Sequence, residues 1–362
     1  MSVSPWMRDK WMRAQWVRVG AAAGVAATLV VAPGQAQTPP DEVRPLRAPV
    51  EQFVTYMVQT HGFDRNELHA LFAKLKPSQS VVRAIAAPST AKPWYEFRPL
   101  FVDERRIVAG VQFWNDNAET LARARETYGV PEGIIVALIG VETRYGRQVG
   151  GHKVVEALST LAFDLDNRPT FFRGELEQFL LLARERRWDP ITVTGSYAGA
   201  MGLPQFMPSS YRAYAVDFDG DGQIDLWRSI PDVIGSVANY LRLFGWKGGE
   251  PVVTPARIDA TDPRPLLDLG LRPSMTLDQW RMRGVEDMSR NNPALNAALF
   301  QLDLVGGPEF WLGFDNFYAL LQYNRSRNYV MAVHDLAQEI KRERERLAVM
   351  MPAGSGVIPV MP

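Results

Sequence analysis

One carboxyl group stands at the end of an unusually apolar stretch of sequence. Glu142 follows residues 134–141, which contain no polar side chain. Such a run predicts a helix that is buried on nearly every side, begins near Pro131 and carries Glu142 at its C-terminal end. Burial and the negative end of the helix dipole both raise the pKa of a carboxyl group, as a general acid requires. The alternative is an ion pair with Arg144 or Arg147, because structural ion pairs also perturb pKa values.

A glycine-rich loop at residues 195–211 offers a second set of candidate groups. It reads Gly-Ser-Tyr-Ala-Gly-Ala-Met-Gly-Leu-Pro-Gln-Phe-Met-Pro-Ser-Ser-Tyr. Its small residues allow a backbone to approach a bulky ligand closely. Ser196 and Gln205 supply polar contacts beside the apolar Met201 and Phe206, so all four are candidate ligand contacts. A phosphate-binding nest is the alternative, although the loop holds no Lys or Arg to accompany a phosphate.

A short acidic loop has the spacing of a calcium site. Asp217, Asp219 and Asp221 occupy the first, third and fifth positions of an EF-hand pattern, and Gln223 supplies the backbone carbonyl of the seventh. The twelfth position is Arg228, where an EF-hand has a bidentate Glu. Three carboxylates so close together repel one another unless a cation holds them. The pattern predicts a structural calcium site, and a solvated acidic turn is the alternative.

The rest of the pattern predicts mostly helices around these groups. A capping pattern at Asp64 and Glu67 marks one helix start. Residues 247–315 hold many Pro and Gly and short β-branched runs, which favour a small mixed or β-rich subdomain inserted into a helical protein. Helices are predicted over residues 64–76, 102–128 (as one continuous helix), 154–163, 170–187 and 329–349.

Composition narrows the class of protein. The 40 basic and 40 acidic residues balance, which excludes the basic face that a nucleic-acid backbone demands. The chain has no cysteine, so it can form no disulfide and can carry no lipid on an N-terminal Cys. Aromatic side chains make up 10% of the residues and suit stacking on sugar rings.

The N-terminus resembles an export signal. Four basic residues between Arg8 and Arg18 precede a small apolar run from Val19 to Ala32, and residues 34–36 (Gly-Gln-Ala) suit cleavage. The apolar run is shorter than a membrane span, although an uncleaved anchor is the alternative. We expect a periplasmic protein that is not lipid-anchored.

Four motifs in one order resemble the membrane-bound lytic murein transglycosylase B family. They are Gly-Val-Glu-Thr-Arg-Tyr-Gly at 140–146, the loop at 195–211, the acidic loop at 217–232 and Tyr-Asn-Arg-Ser at 323–326. The resemblance covers roughly residues 50–349. Each motif alone is moderately specific, and the ordered set is strong.

The resemblance implies a mainly helical α+β protein with a lysozyme-like core, a helical domain and a small β-containing inserted subdomain. The expected segments are a signal peptide at 1–36, a linker at 37–50, a helical domain at 51–130 joined by the helix at 329–349, a core at 131–246 and 316–328 with an EF-hand-like loop at 217–232, the inserted subdomain at 247–315, and a disordered tail at 350–362.

The same resemblance assigns roles to individual residues. The family's functional positions match Glu142 as the catalytic acid and base, Ser196 near it, and the glycan contacts Gln205, Tyr240, Asn324 and Tyr329. Asp232 falls where the family's longer calcium loop recruits a later carboxylate. Phe97 departs from the pattern, because the family often has Tyr before the Arg that is Arg98 here.

The implied reaction cleaves the β-1,4 bond between N-acetylmuramic acid and N-acetylglucosamine in peptidoglycan without adding water. One acid suffices if the N-acetyl group assists departure and the C6 hydroxyl then attacks C1, which leaves a 1,6-anhydro end. A water-using muramidase is the first alternative; it needs a second carboxylate, for which Asp164 and Asp166 are candidates. A non-catalytic, calcium-stabilised peptidoglycan-binding protein is the second.

The expected partners follow from the implied reaction. They are peptidoglycan glycan strands and, in the cell, complexes of cell-wall synthesis or lysis. We expect a monomer, with structural calcium and no catalytic cofactor.

Overall fold

Helices form most of the chain that the structure describes. The structure is a computed structural model that describes residues 46–86, 92–165, 168–259 and 261–350. The predicted signal peptide, most of the predicted linker, Asp166 and the predicted tail from residue 351 lie outside the described residues.

Four helices form the first part of the described chain. The side chain of Asp64 accepts a hydrogen bond from the Glu67 amide at 2.9 Å, so the predicted cap is formed. Helix α1 begins inside the predicted linker. The helices are α1 (Ala48–His61), α2 (Arg65–Lys74), α3 (Gln79–Ala86) and α4 (Trp94–Phe97), and α4 runs into a 3₁₀ turn (Arg98–Leu100).

The single helix predicted over residues 102–128 is wrong. The structure has two helices, α5 (Glu104–Asp116) and α6 (Ala118–Tyr128). They are separated by Asn117, whose backbone leaves the helical region (φ −123°, ψ 24°). Its side-chain amide donates to the Phe113 carbonyl at 2.8 Å. An Asn side chain that satisfies a terminal carbonyl competes with helix continuation, and hydrophobic periodicity does not reveal that competition.

The middle of the chain forms the core that carries Glu142. Every residue from Gly133 to Val141 is buried, as the apolar run predicted. Helix α9 packs against α8, and a two-stranded antiparallel sheet pairs His152 with Gly195. The elements are α7 (Glu132–Thr143), β1 (His152–Lys153), α8 (Val154–Phe163), α9 (Pro169–Arg186), β2 (Thr194–Gly195), α10 (Pro208–Tyr214) and α11 (Ile230–Leu243).

A five-stranded antiparallel sheet occupies the segment in which a β-rich subdomain was predicted. Its strand order is β4-β6-β7-β3-β5, and one face is covered by a separate apolar cluster that includes Trp280 and Leu312. The elements are β3 (Val253–Ile258), α12 (Arg264–Leu267), β4 (Met275–Thr276), α13 (Leu277–Arg281), β5 (Val285–Asp287), β6 (Asn296–Leu304) and β7 (Gly307–Gly313). The domain boundaries themselves stay a prediction.

Two final helices return the chain to the core. They are α14 (Asp315–Tyr323) and α15 (Arg327–Met350). Helix α15 packs against α7 and α5, so a segment near the C-terminus lies beside Glu142. Among the described residues, no helix is both long enough and apolar enough to cross a membrane.

Candidate active site

Glu142 lies in the last turn of α7, where a tyrosine from α15 holds its carboxyl group. The hydroxyl of Tyr329 donates a hydrogen bond to Glu142 Oε1. Part of the residue's surface stays accessible, yet burial is the main influence on the carboxyl group and raises its pKa to about 7. The hydrogen bond from Tyr329 opposes that rise, because it stabilises the charged form. No ion pair between Glu142 and Arg144 or Arg147 is found among the described residues.

The chain leaves α7 by an unusual backbone route. Arg144, Tyr145 and Gly146 all have positive φ, of 50°, 58° and 86°. The helix therefore ends at a left-handed Arg144, two residues before Gly146. Left-handed conformations are costly for residues with a Cβ and persist only where surrounding contacts enforce them.

Tyr145 supplies those contacts by inserting between two helices. Its hydroxyl donates to the Arg106 carbonyl of α5 at 3.1 Å. A Cβ on Gly110 or Gly140 would lie 2.5 or 2.4 Å from that hydroxyl, so both positions require glycine. The glycine before Val141 and Glu142 thus makes room for the ring that fixes the end of α7.

Thr143 ties the end of α7 to the glycine-rich loop. Its hydroxyl lies 3.0 Å from the carbonyl of Leu203 and 3.3 Å from that of Ile139. From the other side, the hydroxyl of Tyr323 donates to the carbonyl of Pro204. Helix α7, the loop and the end of α14 are therefore joined by side chains that bind the loop backbone.

The loop itself is a tight double turn. Ser196 Oγ accepts hydrogen bonds from the amides of Ala198 and Ala200 at 3.2 and 3.0 Å. Met201 and Phe206 pair through both of their backbone hydrogen bonds, at 2.8 and 3.0 Å. A Cβ on Gly199 would lie 2.4 Å from Leu158, so the small residues allow the loop to pack on α8.

Gln205 stands at the tip of this turn in a left-handed conformation (φ 50°). Its side-chain amide nitrogen lies 2.8 Å from the Gly202 carbonyl and 3.3 Å from the Val149 carbonyl. The residue is part-buried, and the two bonds fix the side chain between the loop and the segment that follows α7.

Met201 and Phe206 do not face solvent. Their exposed fractions are 0% and 2%, so in this conformation their side chains pack in the core beneath the loop. Phe206 joins an aromatic cluster with Tyr240 and Tyr323, whose ring centroids lie 4.8 Å apart. The cluster lies near Glu142: burial is the main cause of the raised pKa values of Tyr240 and Tyr323, and the charge of Glu142 adds to both.

The acidic loop brings three of the predicted calcium ligands together. Carboxylate oxygens of Asp217, Asp219 and Asp221 lie within 4.8 Å of one another. Asp217 accepts the amides of Gly220 and Gly222 at 2.7 and 2.8 Å, so backbone hydrogen bonds help to shape the loop.

Asp232, predicted as a later ligand, has a different setting. It is 1% exposed, and its two carboxylate oxygens accept the amides of Phe218 and Asp225 at 2.7 and 2.8 Å. The side chain therefore closes the loop from beneath. Its role as a ligand stays a prediction, as does the backbone carbonyl of Gln223.

Comparison with known proteins identifies the chain. The family model described as the transglycosylase SLT domain matches residues 46–338. Membrane-bound lytic murein transglycosylase B of Escherichia coli is 42% identical over 304 residues, which is 81% of this chain and 83% of that protein. The chain belongs to this family. The resemblance drawn from the four motifs is confirmed.

Solved structures of relatives confirm the mainly helical, lysozyme-like α+β fold. Soluble lytic transglycosylase SltB1 of Pseudomonas aeruginosa has a TM-score of 0.76 and 49% identity, covering 82% of this chain and 99% of that chain. Escherichia coli Slt35, solved with calcium, has a TM-score of 0.73 and 40% identity, covering 82% and 94%. SltB3 of Pseudomonas aeruginosa, solved with NAG-NAM-pentapeptide, has a TM-score of 0.71 and 32% identity, covering 81% and 79%.

Two further positions singled out by the resemblance are Asn324, a predicted glycan contact, and Phe97, a departure from the family pattern. Asn324 is exposed at the end of α14, where its side-chain oxygen accepts the Ser326 amide at 3.2 Å. Phe97, where the resemblance led us to expect a tyrosine, is 4% exposed; its ring stacks on Trp94 and packs at a tilt against Phe101.

Two other carboxyl groups of the described chain have structural partners. Asp164 forms an ion pair with Arg47. Glu175, which sequence analysis did not single out, is 4% exposed and accepts the amide and hydroxyl of Ser209 at 3.0 and 2.7 Å. Burial raises its pKa, and these bonds oppose the rise.

Sequence reasoning about the family missed two residues that position the site. Thr143 and Tyr323 both lie inside the quoted motifs, next to Glu142 and Asn324. A hydroxyl that follows a candidate catalytic residue, and a tyrosine at a helix end, were the available signals. Their targets are backbone carbonyls, which the sequence does not reveal.

Proposed function

We propose that this protein is a lytic transglycosylase that cleaves the β-1,4 bond between N-acetylmuramic acid and N-acetylglucosamine in peptidoglycan and leaves 1,6-anhydro ends. The observation that carries the proposal is the carboxyl group of Glu142 at the end of α7, where burial raises its pKa to about 7 so that a large fraction is protonated near neutral pH. The motif at 140–146 resembles the one that carries the catalytic glutamate in this family, whose relatives are named as lytic transglycosylases.

A single carboxyl group is enough for this reaction. Protonated Glu142 gives its proton to the glycosidic oxygen as the bond to C1 of muramic acid breaks, while the N-acetyl oxygen of the same sugar stabilises C1. The C6 hydroxyl of that sugar then attacks C1, and the bond between C1 and the N-acetyl oxygen breaks. Glu142, now a carboxylate, takes the proton of that hydroxyl and is restored. No water enters, and no proton is lost.

Five side chains line the glycan groove in this proposal: Ser196, Gln205, Tyr240, Asn324 and Tyr329. We expect each of them to lie within about 12 Å of the Glu142 carboxyl, the scale of one or two sugar subsites. The direct hydrogen bond of Tyr329 and the electrostatic influence of Glu142 on Tyr240 support the convergence. A sugar would reach Met201 and Phe206 only through their backbone, because their side chains are buried.

The alternatives make different demands on the site. A water-using muramidase needs a second carboxylate near the bond, whereas Asp164 is engaged by Arg47. A non-catalytic binding protein has no need to keep a carboxyl group protonated, and it would be expected to pair Glu142 with an arginine. Neither alternative is favoured by a specific observation.

The deciding experiment is mass spectrometry of fragments released from purified sacculi. Anhydro ends are lighter than hydrolysed ends by the mass of one water molecule, so the product mass separates a transglycosylase from a muramidase. We expect Glu142→Gln to lower the rate at least about a hundredfold, since it cannot deliver a proton. Glu132→Gln, at the other end of α7, is the matched control. A Glu142→Gln protein with a third of normal activity would sink the assignment.

We also propose that the loop formed by Asp217, Asp219 and Asp221 holds a structural calcium ion. Its support is the clustering of the three carboxylates, the backbone bonds that shape the loop, and a relative solved with calcium. The predicted ligands are completed by the Gln223 carbonyl and Asp232. The ion would add only charge neutralisation and rigidity between α10 and α11.

The location and partners follow from the same proposal. A signal-like segment at 1–36 supports a periplasmic enzyme that acts on glycan strands. Relatives solved with peptidoglycan fragments support that partner. Action as a monomer, alone or in cell-wall synthesis or lysis complexes, is part of the proposal.

A further inference from the structure

One residue of the acidic loop is held by a helix that contributes no ligand to it. Phe218 lies between Asp217 and Asp219, two of the proposed calcium ligands. Arg123 of helix α6 donates a hydrogen bond from its guanidinium to the Phe218 carbonyl at 2.6 Å. The two residues are 95 positions apart in the chain, so this contact exists only because the fold brings α6 to the loop.

The same guanidinium also lies over the Phe218 ring. The central carbon of the Arg123 guanidinium is 4.1 Å from the ring centroid. A cation within about 6 Å of an aromatic face is attracted by the negative potential of that face. One guanidinium therefore binds both the backbone carbonyl and the side chain of Phe218, which restricts the movement of both.

Helix α11 and the end of α6 complete the surroundings of Phe218. Its amide donates to Asp232 Oδ1 at 2.7 Å. A Cβ on Gly235 of α11 would lie 2.4 Å from the Phe218 ring, so the glycine allows the ring to pack directly on the helix. The ring of Tyr128 packs at a tilt, with its centroid 5.9 Å away. Phe218 is thus fixed at its amide, its carbonyl and its ring.

Fixing Phe218 limits the positions that the neighbouring carboxylates can take. Gly220 and Gly222 both have positive φ, of 82° and 88°, and glycine makes a loop conformationally permissive. A permissive loop must lose conformational freedom when an ion binds, and that loss weakens binding. Contacts that hold the loop in its binding conformation beforehand reduce the loss. The contact with Arg123 is of this kind, because it holds the peptide that joins Asp217 to Asp219.

The charge of Arg123 has the opposite effect on the loop. A guanidinium cannot coordinate a cation, and like charges repel, so its charge acts against calcium binding. Replacing Arg123 by a neutral residue would therefore change two opposing influences at once. A lysine keeps the charge but lacks the planar group that lies over the ring and donates in a fixed direction. Arg123→Lys thus separates the positioning effect from the charge effect.

We propose that Arg123 is a positioning residue for calcium, which raises the affinity of the acidic loop for the ion by holding Phe218 and without touching the ion. The inference rests on the calcium site proposed above and is independent of the reaction at Glu142. It makes the affinity for calcium depend on the packing of α6 against the loop and α11.

The affinity is measured by calorimetric titration of the intact protein, freed of calcium with a chelator and then dialysed, with calcium chloride. We expect Arg123→Lys to raise Kd about fivefold, because the contact with the ring is lost and the hydrogen bond is weakened. Phe218→Leu removes the ring without changing the charge and should raise Kd by a similar factor. Arg125→Lys, on the same helix and paired with Glu132, is the matched control and should keep the wild-type Kd.

A double variant shows whether the two residues act as one unit. If Arg123 acts through Phe218, combining Arg123→Lys with Phe218→Leu should raise Kd no further than Phe218→Leu alone. Effects of the two changes that multiply, or an Arg123→Lys protein with the wild-type Kd, would overturn the role of Arg123 and leave the calcium site standing. A wild-type protein that binds no calcium would overturn the calcium site and this role together.

Discussion

At the scale of single residues, the central feature is a carboxyl group placed where its charge is disfavoured. Burial raises the pKa of Glu142 to about 7, and the hydroxyl of Tyr329 limits the rise. A proton donor needs a pKa near the working pH, because it must be protonated before the reaction and release the proton during it. Burial and the Tyr329 hydrogen bond act in opposite directions and together set the pKa of Glu142.

The balance predicts how activity depends on pH. The protonated form of Glu142 is the active one, so kcat/KM should fall as the pH rises through about 7. Tyr329→Phe removes the hydrogen bond that favours the charged form, and the alkaline fall should move to higher pH. The measurement is the rate of cleavage of isolated sacculi over a range of about two pH units on either side of neutral. A shift to lower pH would contradict this role of Tyr329.

The same burial predicts that Glu142 costs stability. Its pKa in the folded protein lies above the unfolded value of 4.5, so the folded state binds the proton more tightly. Its favourable contribution is complete below pH 4.5 and is lost as the pH rises through about 7. Glu142→Gln should therefore stabilise the protein at pH 8 by up to about 3 kcal/mol and change little at pH 4. Denaturant unfolding at both pH values tests this, with Glu132→Gln as control.

At the scale of elements, short segments hold the site together through backbone contacts. Thr143 and Tyr323 bind carbonyls of the glycine-rich loop, and Tyr145 fixes the end of α7 against α5. The glycine-rich loop is also bound to the acidic loop, because the Leu203 amide donates to the Leu226 carbonyl at 2.8 Å. Order in the acidic loop is thereby linked to order in the glycine-rich loop.

This link predicts that calcium stabilises the folded protein. At a hundredfold excess over Kd, an ion that binds only the folded state adds about 2.7 kcal/mol. Calcium should raise Tm, and Asp219→Ala with Asp221→Ala should abolish the rise. Asp278→Ala, an exposed carboxylate of α13, is the control and should keep it. Identical melting curves in calcium and in chelator would refute the site.

At the scale of the whole molecule, one buried amide joins the β-containing segment to the core. Asn316 of α14 is 0% exposed, and its side chain binds the Lys247 amide at 2.7 Å and the Lys247 and Glu250 carbonyls at 2.9 and 2.8 Å. These residues are where the chain enters the segment, and Asn316 lies just beyond its end. The amide therefore closes the segment at its base.

Asn316→Ala should destabilise the protein by about 3 kcal/mol, because it leaves buried backbone groups without partners. Asn296→Ala, an exposed residue of β6, is the control. Thermal unfolding provides the comparison, and equal Tm values for the two variants would contradict the role of Asn316.

The sequence by itself determined much about this protein. The apolar run before Glu142, the small residues of the glycine-rich loop and the spacing of the three aspartates are local patterns. Each follows from helix burial, close backbone approach or ligand spacing, and the ordered motifs predicted the family. The helix cap at Asp64 was also readable, because its partner is three residues away.

Only the tertiary structure decided which distant groups meet. Tyr329 reaches Glu142 across 187 positions, and Tyr323 reaches Pro204 across 119. The break at Asn117 and the left-handed exit at Arg144 depend on side-chain bonds and packing that hydrophobic periodicity does not record. Met201 and Phe206 were predicted as ligand contacts from their types, yet their side chains face the core. A residue's type sets what it can bind, but the packed fold sets what it can touch.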